Sequence, residues 1–190
     1  MTGAGLLGCV LAGGQSSRFG SDKALAMLAG QTLIEQAVSA MTGWCDAVIV
    51  VGRNDAPAPT LPDWPHPGMG PLGGIAAALR HAQAKGYAGV LTCGVDSANL
   101  PADLPALLGP APACLADQPV IGIWPVAAAD AVADILAGDG RHSLRALAER
   151  IGARMVRIDA LPANINTPDD LAALNGNRDN AAPGENDHGL

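Results

Sequence analysis

The chain has 190 residues, 49% of them hydrophobic, which suits one domain with a substantial core. Its net charge of −7 excludes an extended nucleic-acid surface, which needs clustered Lys and Arg, yet allows a small anionic ligand held by a few local cations and a metal ion. With only one Phe, one Tyr and three Trp, the core must be built mainly from Ala, Leu, Val and Ile.

Leu6–Ala12 reads as a buried strand, continuously apolar as in a parallel sheet covered on both faces. No basic stretch precedes it, so it is not expected to be a secretory signal. It stops at Gly13-Gly14, and the polar loop that follows holds Arg18 and Lys23. Glycines let a backbone approach a ligand closely and aim consecutive N–H groups at phosphate oxygens. Arg18 can add a planar fork of donors and Lys23 a compact charge. The spacing is neither a P-loop nor the dinucleotide G-x-G-x-x-G, which leaves a third kind of nucleotide site. Lys23 is one of two lysines against nine arginines, so either an ammonium is needed there or the choice reflects composition alone.

A helix is expected over Thr32–Met41, capped by Thr32 with Glu35 three residues on. Ala47–Val51 is a second buried strand ended by Gly52, and the Pro-rich stretch Pro57–Pro67 crosses over with a short edge strand. Pro71–Ala84 is helical by pattern and Tyr87–Val95 is a third central strand. A short helix follows over Pro101–Leu108, with Pro in its first turn. The remaining expectations are a strand over Val120–Trp124, a helix over Val126–Leu136, a break at Asp139-Gly140, a Ser143-capped helix to about Ile151 and a last strand over Arg154–Ile158. Asn164–Leu174 should hold a loop and a terminal helix starting at Pro168. From Gly176 to Leu190 the composition reads as a disordered tail, leaving residues 1–175 as the domain. The alternation predicts an α/β/α three-layer sandwich with a mostly parallel, Rossmann-like sheet.

In such a sheet ligands sit at the carboxyl ends of the strands. That rule gathers the loop 13–23, Gly52–Asp55 and Asp96 around one crevice. Asp96 ends a central strand, where it can hold a hard cation such as Mg²⁺ or simply serve a turn before Pro101. Gly68–Gly70 can wrap a flat base or merely allow close helix packing. Asp63 can accept from a guanine edge or stand as a solvated loop carboxylate. Arg141 and Arg145 can bind a second anionic substrate or be solvated charges. Thr167, Pro168 and the acids after them form a helix start that does not require Asn164 or Asn166, which leaves both free to face the crevice. Cys9, Cys45, Cys93 and Cys114 form no C-x-x-C pair and no metal-ligand spacing, so a reduced, cytoplasmic protein is expected. No apolar run approaches the length of a membrane span.

The segment Leu11-Ala12-Gly13-Gly14-x-Ser-x-Arg18-x-Gly20-x-Asp22-Lys23 resembles the signature loop of nucleotidyltransferases that make nucleoside diphosphate conjugates. Joined with Gly70-Pro71-Leu72-x-Gly74-Ile75 and Asn164-x-Asn166-Thr167-Pro168-x-Asp170-Leu171, it is similar to the molybdenum cofactor guanylyltransferases over about residues 6–174. The resemblance implies transfer of GMP from GTP to the phosphate of molybdopterin, with Mg²⁺ as cofactor and pyrophosphate released. It implies nucleotide contacts from Leu11, Ala12 and Gly13 and phosphate binding by Lys23, with Gly14 and Arg18 of the same loop expected to join them. Asp63 and Gly70 then fall on the base, Asp96 on Mg²⁺ and nucleotide, and Asn166 on the active site. Two positions depart from the family pattern. Ala98 stands where Asp-x-Pro is usual after the metal ligand, and Gly52 stands where some members have a base-contacting Asn, with Asn54 two residues on. Transient contact with molybdoenzymes or other cofactor-synthesis proteins is a further expectation. A cytidylyltransferase acting on molybdopterin or a sugar phosphate, and a non-catalytic cofactor carrier, are the alternatives.

Overall fold

Seven strands form one sheet because successive apolar runs alternate with helices that cover both its faces. A computed structural model describes residues 5–14, 19 and 22–179; Arg18, the rest of 15–18, residues 20–21 and the stretch from 180 onward lie outside the described residues. In chain order the strands are β1 Leu6–Leu11, β2 Met27–Leu28, β3 Gln31–Thr32, β4 Ala47–Val51, β5 Thr60–Leu61, β6 Gly89–Gly94, β7 Ser97–Ala98, β8 Ala113–Leu115, β9 Gly122–Pro125, β10 Arg154–Val156 and β11 Ala163–Asn164. The helices are α1 Leu33–Thr42, α2 Gly70–Lys85, α3 Leu104–Leu108, α4 Ala129–Ala137, α5 Leu144–Arg150 and α6 Pro168–Asp179. Short 3₁₀ turns cover Lys23–Leu25 and Val126–Ala128.

The main sheet runs β10-β8-β9-β6-β1-β4-β5, parallel except for the β9 pairings with β6 and β8. Side chains alternate across it. Leu7, Cys9 and Leu11 pack with α2, α4 and α5 on one face, whereas Val10 packs with α1 and α3 on the other. The scarcity of aromatics is met by small residues: Ala76, Ala78 and Ala82 of α2 are fully or almost fully buried, so the helix lies close to the strands. A polar contact inside the core is complete, with Trp124 Nε1 donating to Thr92 Oγ1 at 2.9 Å and that hydroxyl donating to the Val120 carbonyl at 2.7 Å. Among the described residues no helix is long and apolar enough to cross a membrane.

Thr32 and Glu35 form the expected capping box on α1. Three expectations change. The short helix after β7 starts at Leu104, with Pro105 and not Pro101 in its first turn. The Val126–Leu136 segment divides into a 3₁₀ turn and then α4. Finally, α6 continues through Gly176–Asp179, into the stretch expected to be a tail. Its Asn175 is tied to the β2–β3 hairpin, accepting from Ala29 N at 3.2 Å, and that tertiary anchor is invisible to composition. The strand β8 and the two-residue ladders β2/β3 and β7/β11 were not expected, because segments this short carry no measurable periodicity.

Candidate active site

β1 pairs with β4 on one side and β6 on the other, so the chain reverses direction of winding between β1 and β6. That switch point opens a crevice at the carboxyl ends of the two strands. A cleft of about 440 Å³ lies there, with Gly13 and Gly14 from the end of β1, Lys23, Asp96 from the end of β6 and Asn164 of β11 among its walls.

Lys23 is set by its neighbours. Asp22 caps the 3₁₀ turn, its Oδ1 accepting from Ala24 N at 3.1 Å. The Lys23 Nζ then donates to Asp96 Oδ2 at 3.0 Å and to the Ile165 carbonyl at 2.9 Å, with the two side chains 14% and 28% exposed. The ammonium therefore joins three segments: the loop after β1, the end of β6 and the β11–α6 connection. The same connection returns to Asp96 through Ile165 N, which donates to the Asp96 carbonyl at 3.0 Å. Asp170 holds the connection's other end, its Oδ2 accepting from Asn166 N at 2.9 Å and Thr167 N at 2.8 Å. Those backbone donors pull the Asp170 carboxyl below its ordinary range. Underneath, Phe19, Leu28, Leu33, Ala98 and Ile165 form a small apolar cluster that seats the site's outer wall.

Arg53 follows β4 and forks onto Asp22, with Nη2 donating to Oδ2 at 3.0 Å, while its Nε donates to the Asp55 carbonyl at 2.6 Å. Beside it, Gly52 explains a departure noted in the sequence. Its φ is +94°, and a Cβ there would lie 2.5 Å from Gly13 N. The loops after β1 and β4 thus touch backbone to backbone, and no side chain fits at position 52.

The structure brings Leu11, Ala12, Gly13, Gly14, Lys23 and Asp96 to the cleft. Four other expected residues fall outside its walls. Asp63 lies at the start of α2, its Oδ2 accepting from Gly68 N at 3.1 Å, so the carboxylate organises the glycine turn. Gly70 begins α2 with φ +67°, and the next residue, Pro71, is the one that lines the cleft. Asn54 is exposed beyond the Gly52 turn. Asn166 is exposed at the α6 cap, and Asn164 lines the cleft in its stead, because β11 pairs with β7 and carries Asn164 opposite Ser97. Asp117, Gln118 and Leu144 also line the cleft and were missed. The first two follow the unexpected strand β8. Arg53 was findable, since it sits beside Gly52 at a strand's carboxyl end.

Among the described residues no group of three His, Cys, Asp or Glu could hold a metal ion by itself. Asp96 suits a cation such as Mg²⁺, which takes one or two carboxylates and completes its shell with substrate phosphates and water, whereas both Asp22 oxygens are engaged by Ala24 N and Arg53. The free thiols Cys9 and Cys93 are buried in the sheet, where desolvation pushes both up, and neither reaches the cleft.

A family model described as a MobA-like NTP transferase domain matches residues 8–157. A molybdenum cofactor guanylyltransferase of Acidiphilium cryptum is 38% identical, with 93% of this chain and 97% of the relative covered. One from Rhodobacter capsulatus is 35% identical, covering 88% of this chain and 93% of that one. Among solved structures, the molybdopterin-guanine dinucleotide biosynthesis protein A of Archaeoglobus fulgidus superposes with a TM-score of 0.74 at 23% identity, over 92% of this chain and 99% of that one.

Proposed function

The chain belongs to the molybdenum cofactor guanylyltransferase family of nucleotidyltransferases, and from that membership we propose that it transfers GMP from GTP to the phosphate of molybdopterin, releasing pyrophosphate, with Mg²⁺ bound at Asp96. The observation that carries the reading is the Lys23–Asp96 pair beside the exposed glycine backbone at the switch point, which offers one ammonium, one metal-competent carboxylate and backbone N–H groups within a single cleft.

In the reaction an oxygen of the molybdopterin phosphate bonds to the α-phosphorus of GTP, and the bond from that phosphorus to the β-bridging oxygen breaks, its electron pair leaving with pyrophosphate. The attacking phosphate is already an anion at neutral pH and needs no general base. The barrier lies in bringing anions together and in the charge on the leaving group, so positioning and electrostatic stabilisation dominate. Lys23 donates to the phosphate oxygens from a position fixed by Asp96 and Ile165. Gly13 and Gly14 supply backbone donors, and Arg18 of the same loop is assigned to the transferring phosphates. Asp22, held by Arg53, keeps the Lys23 turn in register. Asp96 would hold the cation, which would supply charge neutralisation on the phosphates. Asp63 reads the guanine edge with its second carboxylate oxygen, beside the Gly68–Gly70 turn that its first oxygen organises.

The test is pyrophosphate release in the presence of molybdopterin with GTP, CTP or ATP, for the wild type and Asp96→Asn. Release with GTP alone, lost in the variant, is expected. A preference for CTP would make the protein a cytidylyltransferase, and molybdopterin binding without release from any nucleotide would make it a carrier.

A further inference from the structure

Asp63, assigned above to the guanine edge, sits in a stretch with little rigidity of its own. The turn after it takes φ of +87° at Gly68 and +67° at Gly70, a region that residues bearing a Cβ rarely adopt. Asp63 Oδ2 accepts from Gly68 N in that turn, and among the described residues Oδ1 has no hydrogen-bond partner. An acceptor selects between bases only if it is fixed before the base arrives, and a glycine turn does not fix it. The next residue, Trp64, does. Its N–H donates to the Gly73 carbonyl at 3.1 Å, and its ring packs against the apolar cluster that β1 and α2 share. The Arg80 guanidinium covers the ring, with Cζ 4.6 Å from the ring centroid. Gly73 makes the approach possible, since a Cβ there would lie 3.2 Å from the Trp64 carbonyl oxygen and 3.4 Å from Asp63 Cβ. Gly73 and Arg80 stand two turns apart on one face of α2, and a helical side chain tilts towards the helix start, which brings the guanidinium back over the ring. Among the described residues Arg80 has no hydrogen bond or ion pair, so the face of Trp64 is its partner.

We propose that Arg80 and Trp64 are a positioning pair for base selection: their stack holds Asp63 where Oδ1 accepts from the 2-amino group of guanine, and so sets the preference for GTP without touching the nucleotide. The inference rests on the guanylyltransferase reading above. Arg80 is exposed and Trp64 half-buried, so removing the cation leaves the core intact. The phosphate end of the site is held by separate contacts, from Lys23 to Asp96 and to the Ile165 carbonyl. Loss of the stack therefore acts on which base is bound and leaves transfer at saturation alone.

The experiment measures kcat and KM for pyrophosphate release, with molybdopterin present, from GTP and from ITP, which keeps the ring N1–H but lacks the 2-amino group. The wild type should prefer GTP by about 10- to 100-fold in kcat/KM, the scale of a hydrogen bond to a charged acceptor. Arg80→Met should lower that preference by about two- to fivefold, the scale of an exposed cation–π contact, through KM for GTP and with kcat unchanged. Arg80→Lys and Trp64→Phe keep a cation and a ring face, and should recover most of the preference. Trp64→Leu should lose it, and adding Arg80→Met to Trp64→Leu should cost nothing more, because the two side chains act as one unit. Arg150→Ala, on the far side of the sheet edge, is the control. An unchanged GTP-to-ITP ratio in Arg80→Met, or an equal weakening of both nucleotides, overturns the pair and leaves the guanylyltransferase reading standing. A wild type that transfers GMP yet uses ITP equally well overturns the Asp63 assignment and the pair with it. Failure of the wild type to transfer GMP overturns the guanylyltransferase reading itself.

Discussion

Replacing Lys23 with Met separates what the ammonium does for the fold from what it does for the reaction. In the folded protein Nζ touches two acceptors, Asp96 Oδ2 at 3.0 Å and the Ile165 carbonyl at 2.9 Å. Asp96 is 28% exposed, so water can resolvate its carboxylate once the ammonium is gone. The β11–α6 connection would still be held by Asp170 and by the bond from Ile165 N to the Asp96 carbonyl. The stability cost should then be that of a partly exposed ion pair, about 1 kcal/mol. For a chain of this size that is a fall in melting temperature of about 2–4 °C. The transition state has no such substitute, because the charge on the phosphates builds in a cleft where the donor was fixed in advance. Losing one such donor costs on the order of 10²–10³ in kcat, or about 2.7–4 kcal/mol. Lys23→Arg restores the charge but cannot put a single point donor between the same two acceptors, so it should recover only part of the rate. The assay is pyrophosphate release at saturating substrates, beside a thermal melt. A loss in kcat of less than about tenfold would refute the reasoning. So would a destabilisation large enough to account for the whole loss of activity.

Gly52→Ala should destabilise the fold by about 1–3 kcal/mol from backbone strain alone, and should weaken GTP binding as Gly13 is pushed aside. Urea unfolding and GTP titration check this, with Gly140→Ala, which meets nothing within 4 Å, as the silent control. Asp170 and Glu35 are both held below their ordinary range by hydrogen bonds, from Asn166 and Thr167 N–H and from Thr32 respectively. A depressed folded value means that their stabilisation is complete above the unfolded carboxylate range, about pH 4, and is lost as pH falls through the folded values. The stability gap between wild type and Asp170→Asn should therefore be constant at neutral pH and shrink in acid, as measured by denaturant midpoints at several pH values; a gap that widens in acid would contradict the sign. Burial pushes the Cys9 and Cys93 thiols up and Cys45 up to about 12, so a thiol-specific disulfide reagent should label the native protein slowly at pH 7.5 and label all four cysteines once it is unfolded. Rapid native labelling of Cys9 or Cys93 would show that the sheet opens.

The long elements could be read from the sequence because each carries a repeated physical signal. β1 and β4 are free of polar side chains and β6 is broken only by Thr92, since both faces of the sheet are covered, and α1 announces itself through Thr32 and Glu35. The strand-end rule grouped the loop 13–23, Gly52–Asp55 and Asp96; Gly13, Lys23 and Asp96 do line one cleft, whereas Gly52–Asp55 do not. What stayed hidden depends on contacts between distant segments. β8 has three residues and β11 two, too few for any period to appear, and they carry Asp117, Gln118 and Asn164 to the cleft. The choice between Asn164 and Asn166 turns on the pairing of β11 with β7, which only the folded chain defines. The loop ties made by Arg53 and Asp170 join residues 31 and 3–4 positions away from their partners; the first is out of reach of local reasoning, while the second is the ordinary Thr167-to-Asp170 cap that the motif already suggested.

Isotope placement reports which phosphorus atom of GTP is attacked. The protein, molybdopterin and Mg²⁺ are incubated in parallel with GTP labelled at the α-phosphate and with GTP labelled at the γ-phosphate, and the label is followed into the cofactor and into pyrophosphate. Attack at the α-phosphorus puts α-label in a molybdopterin–guanine dinucleotide and γ-label only in pyrophosphate. Label from the γ-phosphate in the cofactor, or no label in it from either nucleotide, would contradict it.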